Sequence, residues 1–546
     1  MSKELDLGRV VGKDATINGE NAVNIVAGNN IDIHQQGGTL TIGVDDTHFN
    51  DKSNPHEVTA DQIGAVPVSR TVNGKSLSEN ISLSADDVGA SPSDHTHADK
   101  QDKLTGTPDQ YVTFDENGNA VAKQKDYSLF GFKIVCNESD PAHKIKYIAQ
   151  NASYEPAHMD YEKDEFNYGD WADVWFIKNI KPVILKYDGT VIEELMRDDY
   201  TQGITGPHAF NVSSDTIPGN VMVGIPTVWV KIDYMNGDDV FYFSDQKLDD
   251  KFHAYAHTTA SGEVVPYIYL PAYNGYKDDN GRIRSISGKA PTRSETGTNQ
   301  ISQARANNPN GKHMWDIETL ADRNLINLLL LLIGKSTNTQ AVFGNGNMNG
   351  SNNHAEGSGE YGILPTGTMN DKGLFWGSNA DNLGVKVFGI ENWWGNVYRR
   401  TQGLILDEGV YKIKMTYGTE DGSTCEGYNE TGEGYVTGIP LREGAGISTA
   451  PLQKSNFQAV TGNTCEGHIT EMRGSIFGLF IVKGKGGSSS TYFCDFSSLN
   501  ISSIRFALFG STSNSGSNCG AFACSLNDLV SAYSWNTGVS ISCKPY

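Results

Sequence analysis

Val387-Phe-Gly-Ile-Glu-Asn-Trp-Trp-Gly-Asn-Val-Tyr-Arg399 is the stretch on which the reading of this chain turns. Adjacent Trp393 and Trp394 read as core packing rather than as ligand-stacking residues, and Glu391 and Asn392 as the cap or brace of the adjacent loop. Upstream lies Trp315-Asp-Ile-Glu-Thr319, leading into the most apolar run of the chain, Leu325 to Ile333. With Asp316 as N-cap and Gly334 as the C′ residue, the pattern predicts a buried helix over 317–333. Gln340-Ala-Val-Phe-Gly-Asn-Gly346 follows, opening a long Gly/Asn/Ser-rich loop that runs from Phe343 to Asn353. Downstream, the chain closes with Arg505-Phe-Ala-Leu-Phe-Gly510, then Gly520-Ala-Phe522, then Trp535-Asn-Thr-Gly-Val-Ser-Ile-Ser-Cys543.

Moving further out, strand-like runs appear from Tyr127 onward: Phe130–Val135, Ala172–Ile177, Val221–Ile225, Val228–Asp233, Val240–Phe243 and Val265–Leu270. One clear helix among many short strands and irregular loops reads as an α+β body, mostly β, not a doubly wound sheet. The 546 residues correspond to three or four domains, and 38% hydrophobic content with 60 glycines suffices for sizeable cores. A formal charge of −22 carries no basic stripe for nucleic acid and no polybasic patch for a membrane surface. Leu325–Ile333 is too short to span a bilayer, and MSKELDLGRVVGKD has no signal-peptide pattern. Seven cysteines, six of them after residue 420 and without a CxxC pair, read mostly as small buried apolar residues.

Before Tyr127 the chain is thin in apolar residues. Val58-Thr-Ala-Asp-Gln-Ile-Gly-Ala-Val-Pro67 returns 25 residues later as Leu83-Ser-Ala-Asp-Asp-Val-Gly-Ala-Ser-Pro92. Neither copy can bury a core alone, so such units need neighbours or identical chains to stack on. Short alternating stretches such as Leu40-Thr-Ile-Gly-Val44 fit an extended oligomeric stalk, with a disordered tail as the alternative. The expected organisation is an N-terminal segment over 1–46, a repeat stalk over 47–126, an intermediate β-rich region over 127–214 and a final domain over 215–546.

The repeat pair, with Asn54-Pro-His-Glu-Val-Thr59, Thr71-Val-Asn-Gly-Lys75 and Asp94-His-Thr-His-Ala-Asp99, resembles the short repeats of tailed-phage tail fibres. The resemblance implies a homotrimeric fibre held to virion tail or baseplate proteins through its N-terminal part. In an extended segment His95 and His97 point to one side. Three chains would bring six imidazoles to a threefold axis, a set suited to octahedral coordination of a transition metal. The resemblance implies iron there; the alternative is an exposed or metal-free histidine pair.

The ordered features from Trp315 to Cys543 resemble the C-type-lectin-type fold of formylglycine-generating-enzyme-like domains. They are more similar still to the variable proteins diversified by phage diversity-generating retroelements. The expected architecture is thus an extended oligomeric repeat stalk followed by a C-type-lectin-like fold. Independently of that likeness, Gly486 to Tyr546 holds 16 Ser, 5 Asn and 6 Gly among 61 residues, and only four charges: Asp495, Arg505, Asp528 and Lys544. Rigid apolar anchors separated by small adaptable polar residues are the chemistry of a paratope, and few charges lower the desolvation cost of binding. A Ser-rich β-edge or linker is the plainer alternative. The resemblance implies Gly510, Gly516, Gly520, Trp535 and Gly538 as framework, with Trp535 buried. It implies a variable face within about 486–546, formed by Phe496, Ser497, Ser498, Asn500, Ser511, Ser513, Asn514, Ala523, Asp528 and Tyr533.

Cys519 and Cys524 could suggest thiol catalysis, but no basic group or histidine adjoins them in sequence. Acidic neighbours such as Glu193-Glu194 and Asp198-Asp199 read as solvated surface rather than as a glycosidase pair. No Walker A, HExxH or Gly-x-Ser-x-Gly motif occurs, and Trp535-Asn536-Thr537 lacks the acidic partner of a calcium-dependent sugar site. The expectation is a non-enzymatic tail-fibre receptor-binding protein that attaches a virion to a host surface molecule, protein or glycan. It would be made in the bacterial cytoplasm and carried on the virion. A tail-fibre polysaccharide depolymerase and a bacterial surface adhesin are the alternatives.

Overall fold

Strand makes up 35% and helix 11% of the protein in the computed structural model, so the chain is mostly β. The structure describes residues 15–18, 22–25, 31–36, 39–44, 71–72, 74–76, 80, 82–84, 110–124, 127–206, 210–259, 261–350, 362–414, 435–441 and 446–546. The chain divides into two compact units, Met1–Lys125 and Asp126–Tyr546.

In the first unit the described residues form short antiparallel pairs. Ala15–Asn18 pairs with Ala22–Ile25, and Ile31–Gln36 with Thr39–Val44. Thr71–Val72 pairs with Lys75–Ser76, and Gln110–Phe114 with Ala120–Gln124. The Asp115 carboxylate closes the last hairpin by accepting the backbone N–H groups of Asn117 (2.9 Å) and Asn119 (2.8 Å), a local turn bond typical of aspartate. Apart from Leu83 and Ser84, the two repeat copies lie outside the described residues. So do His95 and His97.

The second unit holds three larger sheets. A four-stranded antiparallel sheet runs in the order Ile145–Ala149, Leu129–Ile134, Asp238–Ser244, Trp229–Met235. A six-stranded sheet runs Val191–Glu194, Lys181–Lys186, Gly219–Pro226, Tyr267–Pro271, Ile541–Cys543, Trp315–Ile317. Every residue of Gly219–Pro226 is buried, as expected of a central strand covered on both faces. Residues 127–214 therefore do not stand apart from 215–546: Leu129–Ile134 and Lys181–Lys186 each pair with a strand beyond residue 215. The chain's last strand, Ile541–Cys543, closes the six-stranded sheet between elements more than 200 residues upstream.

Four of the helices position the core and are numbered α1 (Trp175–Lys178), α2 (Gly297–Arg305), α3 (Leu320–Gly334) and α4 (Thr339–Phe343). Ala172–Ile177 is thus a turn and a short helix, not the strand its composition suggests. Trp171, Val174 and Ile177 recur at helical spacing and are all buried, and that period overrides the β-propensity of the residue types. All fifteen residues of α3 are buried. Its N-cap is Thr319, not Asp316, and its Oγ1 and the Asp322 carboxylate form a reciprocal capping box. Asp316 is held in strand Trp315–Ile317 by pairing with Ile541–Cys543, and its carboxylate accepts from Arg305 Nε and His313 Nε2, both at 2.9 Å. Gly334 is the last helical residue, and Lys335, with φ of +53°, takes the left-handed cap position.

Candidate functional site

Three strands carry the carboxy-terminal face: Phe496–Asn500, Arg505–Phe509 and Cys524–Asp528. They sit side by side in a nine-stranded sheet, with Cys524–Asp528 in the middle. Along Phe496–Asn500 burial alternates, as a strand with one covered face requires. Ser497 and Leu499 are buried, whereas Phe496, Ser498 and Asn500 lie half-buried on the other side. Ser498 Oγ donates to Glu466 Oε1 at 2.7 Å and accepts from the Asn527 amide. Asp528, half-buried, faces Phe506 in the ladder.

The loops around these strands are held from beneath by α3. Arg323 Nη2 and Asn327 Nδ2 both donate to the Ala521 carbonyl at 2.9 Å. Arg323 Nη1 donates to the Trp393 carbonyl (3.0 Å), and Trp393 Nε1 donates to Asn327 Oδ1 (2.8 Å). The guanidinium groups of Arg323 and Arg399 lie over the Trp393 ring, 4.2 and 4.7 Å from its centroid, a favourable cation–π arrangement in a dry site. Glu318, fully buried, pairs with both guanidinium groups and offsets part of their charge, accepting from Arg399 Nε at 2.8 Å, with Arg323 Nη1 at 3.7 Å. Trp393 and Trp394 are both fully buried. Glu391 braces the preceding loop, accepting the N–H groups of Gly367 (2.8 Å) and Met369 (2.9 Å).

Two glycines fix the path of the loop between the strands. Gly510 has φ of +86° and a Cβ there would lie 2.8 Å from the Trp393 carbonyl oxygen. Gly520 has φ of +147° and sits against the Asp495 carboxylate, leaving no room for a side chain. Asp495 is buried and accepts the Phe522 N–H at 2.6 Å; desolvation pushes its carboxyl well above the usual range. Gly516 is half-buried, and a Cβ at Gly538 would lie 2.7 Å from Val397 Cγ2.

Of the residues read as a variable face, four are turned inward. Ser497, Ser511, Ser513 and Ala523 are buried. Ser497 Oγ donates to the Gly467 carbonyl (3.2 Å), Ser511 Oγ to that of Asn518 (3.2 Å), and the Ser513 N–H to that of Asn396 (3.0 Å). Residue type suggested surface, but small residues are equally what a tight loop needs to reach the backbone beneath it. Phe496, Ser498, Asn500 and Asp528 are half-buried, and Asn514 and Tyr533 are exposed, Tyr533 at 69%. Trp535, expected to be buried, is half-buried; its carbonyl accepts from Arg293 Nη1 at 3.1 Å.

The structure adds residues that sequence reasoning passed over. Leu529 is 47% exposed and, with Ser503, Ile504, Phe506, Val530 and Ser531, lines an apolar groove of about 310 Å³. The apolar pair Leu529-Val530 in the short segment between Asp528 and Tyr533 was the available signal. Among the described cysteines, Cys465, Cys494, Cys519, Cys524 and Cys543 are buried and Cys136 is exposed, all as free thiols. Burial pushes the Cys519 thiol up and that of Cys524 up to about 12, the opposite of an activated nucleophile. Among the described residues no cluster of His, Cys, Asp and Glu is arranged to hold a metal ion, and no helix is long and apolar enough to cross a membrane. No family model matches the chain, and no curated protein matches it significantly.

Proposed function

We propose that this chain is a tail-fibre receptor-binding protein of a tailed phage or prophage, a homotrimer whose C-type-lectin-like tip binds a host surface molecule. The observation that carries the proposal is the pairing of a rigid buried frame with exposed anchors. Arg323, Asn327, Trp393 and Asp495 hold the loops, while Leu529, on the rim of an apolar groove, and Tyr533 present large side chains to solvent. Fixed aromatic and aliphatic anchors among adaptable polar residues bind with little ordering cost. Three such tips on one fibre would add avidity, so modest affinity at each suffices. The repeat units of the first hundred residues support the fibre part of this reading through their likeness to tail-fibre repeats.

The test is competition for adsorption. Purified full-length protein added to sensitive cells should block adsorption of the parent virion, and Tyr533→Ala or Leu529→Asp protein should block it at least about tenfold less well. Wild-type protein that neither binds the cells nor competes would overturn the proposal.

A further inference from the structure

We propose that the cavity between the hairpin of strands Trp229–Met235 and Asp238–Ser244 and the strand Glu471–Ser475 is a second ligand site. Its ligand would be a neutral polyhydroxylated molecule of mono- or disaccharide size. The cavity has a volume of about 420 Å³, within the range of small-molecule sites. None of its lining residues is one of those assigned to the carboxy-terminal face, and it does not depend on the function proposed for that face.

The two walls are joined by a backbone-to-side-chain hydrogen bond: the Gly474 N–H donates to Asp239 Oδ2 at 2.7 Å. A Cβ at Gly474 would lie 2.6 Å from Asp239 Cγ, so any larger residue there would have to displace the Asp239 carboxylate. The hairpin contributes Asp239 and Tyr234, whose side chain is 44% exposed, and the opposite segment contributes Thr470, Glu471 and Arg473. Thr470 is 6% exposed, and its Oγ1 has no hydrogen-bond partner among the described residues. A buried hydroxyl lining a cavity without a partner is a group that a ligand would satisfy.

The charges select the class of ligand. Lys144 also lines the cavity, but its ammonium donates to the carbonyls of Val135 (3.0 Å), Cys136 (3.2 Å) and Glu138 (2.8 Å). It supplies a fixed positive field rather than a hand for an anion. Arg473 Nη1 donates to Ser448 Oγ at 2.7 Å. With Asp239 and Glu471 set against Lys144 and Arg473, the lining carries no net formal charge that would select an anion or a cation. Hydroxyl groups can donate to the two carboxylates and accept from Thr470 and the guanidinium, while the Tyr234 ring offers an apolar face for a sugar's C–H surface.

The experiment is ligand-observed NMR and calorimetry on the full-length protein with glucose, galactose, N-acetylglucosamine and lactose, alongside charged glucosamine and glucuronate. At least one neutral sugar should bind with a dissociation constant of about a millimolar or tighter. Thr470→Val and Glu471→Gln should each weaken that binding about tenfold with melting temperature retained. Tyr234→Ala, an exposed position whose loss leaves the core untouched, should weaken it several-fold. Absence of binding by every neutral sugar, tighter binding of glucosamine or glucuronate, or equal binding by folded variants would overturn the proposal.

Discussion

Tyr533 and Gly520 stand at opposite ends of what a single residue does in the carboxy-terminal face. Tyr533 is mostly solvated, so Tyr533→Ala should change unfolding free energy by no more than about 0.5 kcal/mol, while reducing cell binding; a melting curve and a cell-binding assay on the same preparation check both. Gly520→Ala should do the reverse. A methyl group there must push aside the Asp495 carboxylate against an unfavourable φ, and a loss of about 1–3 kcal/mol measured by denaturant unfolding is expected. At this scale the sequence was partly legible. Adjacent tryptophans announced a core, and Trp393 and Trp394 are buried. Seryl residues announced nothing certain, because a serine bonded to a backbone carbonyl, such as Ser497 or Ser511, looks the same in sequence as one facing water. Trp535 misled for a related reason: its size argued for full burial, whereas the turn that carries it leaves the residue only half-buried.

Helix α3 is the element on which the carboxy-terminal face is built. Its apolar residues fill the core, and its polar residues, Arg323 and Asn327, reach the loop at Ala521. The existence of the helix was plain from its leucine run. Its start was not, since Asp316 is as good a cap by type as Thr319, and only the pairing of Trp315–Ile317 with the last strand decides between them. That pairing spans more than 200 residues and leaves no local trace. Thr319→Ala should therefore cost about 1 kcal/mol of stability by removing the capping box, whereas loss of the Asp316 carboxylate should leave the helix start in place. Chemical denaturation with far-ultraviolet circular dichroism reads the first effect. A cost at Thr319 indistinguishable from zero would return the cap to Asp316. For α1 the sequence held two competing periods, and the buried spacing of Trp171, Val174 and Ile177 prevailed.

Across the whole second unit, sheets that join residues 127–214 to residues beyond 215 make stability a shared property, sensitive to any buried ionisable group. His257 is fully buried, its Nε2 lies 3.2 Å from the Ile225 carbonyl, and desolvation pushes its imidazole down to about 3. Since the folded value lies below the ordinary 6.5, the unfolded chain takes up this proton first as pH falls. The stability that neutral His257 contributes above pH 6.5 is therefore lost progressively between 6.5 and about 3. His257→Gln should flatten that acid limb of the stability profile; parallel profiles for the two proteins would contradict the assignment. The central proposal concerns the carboxy-terminal face: that the exposed side chains of residues 496–534 form a binding face, diversified as the resemblance implies, on a fixed frame. Deep sequencing of the 3′ end of the gene in a phage population grown from one plaque or lysogen tests it most directly. Substitutions concentrated at solvent-facing positions such as Asn514, Leu529, Ser531 and Tyr533, and absent from Ser497, Ser513, Gly520 and Ala523, are the predicted result. A uniform sequence, or substitutions spread evenly over buried and exposed codons, would contradict it.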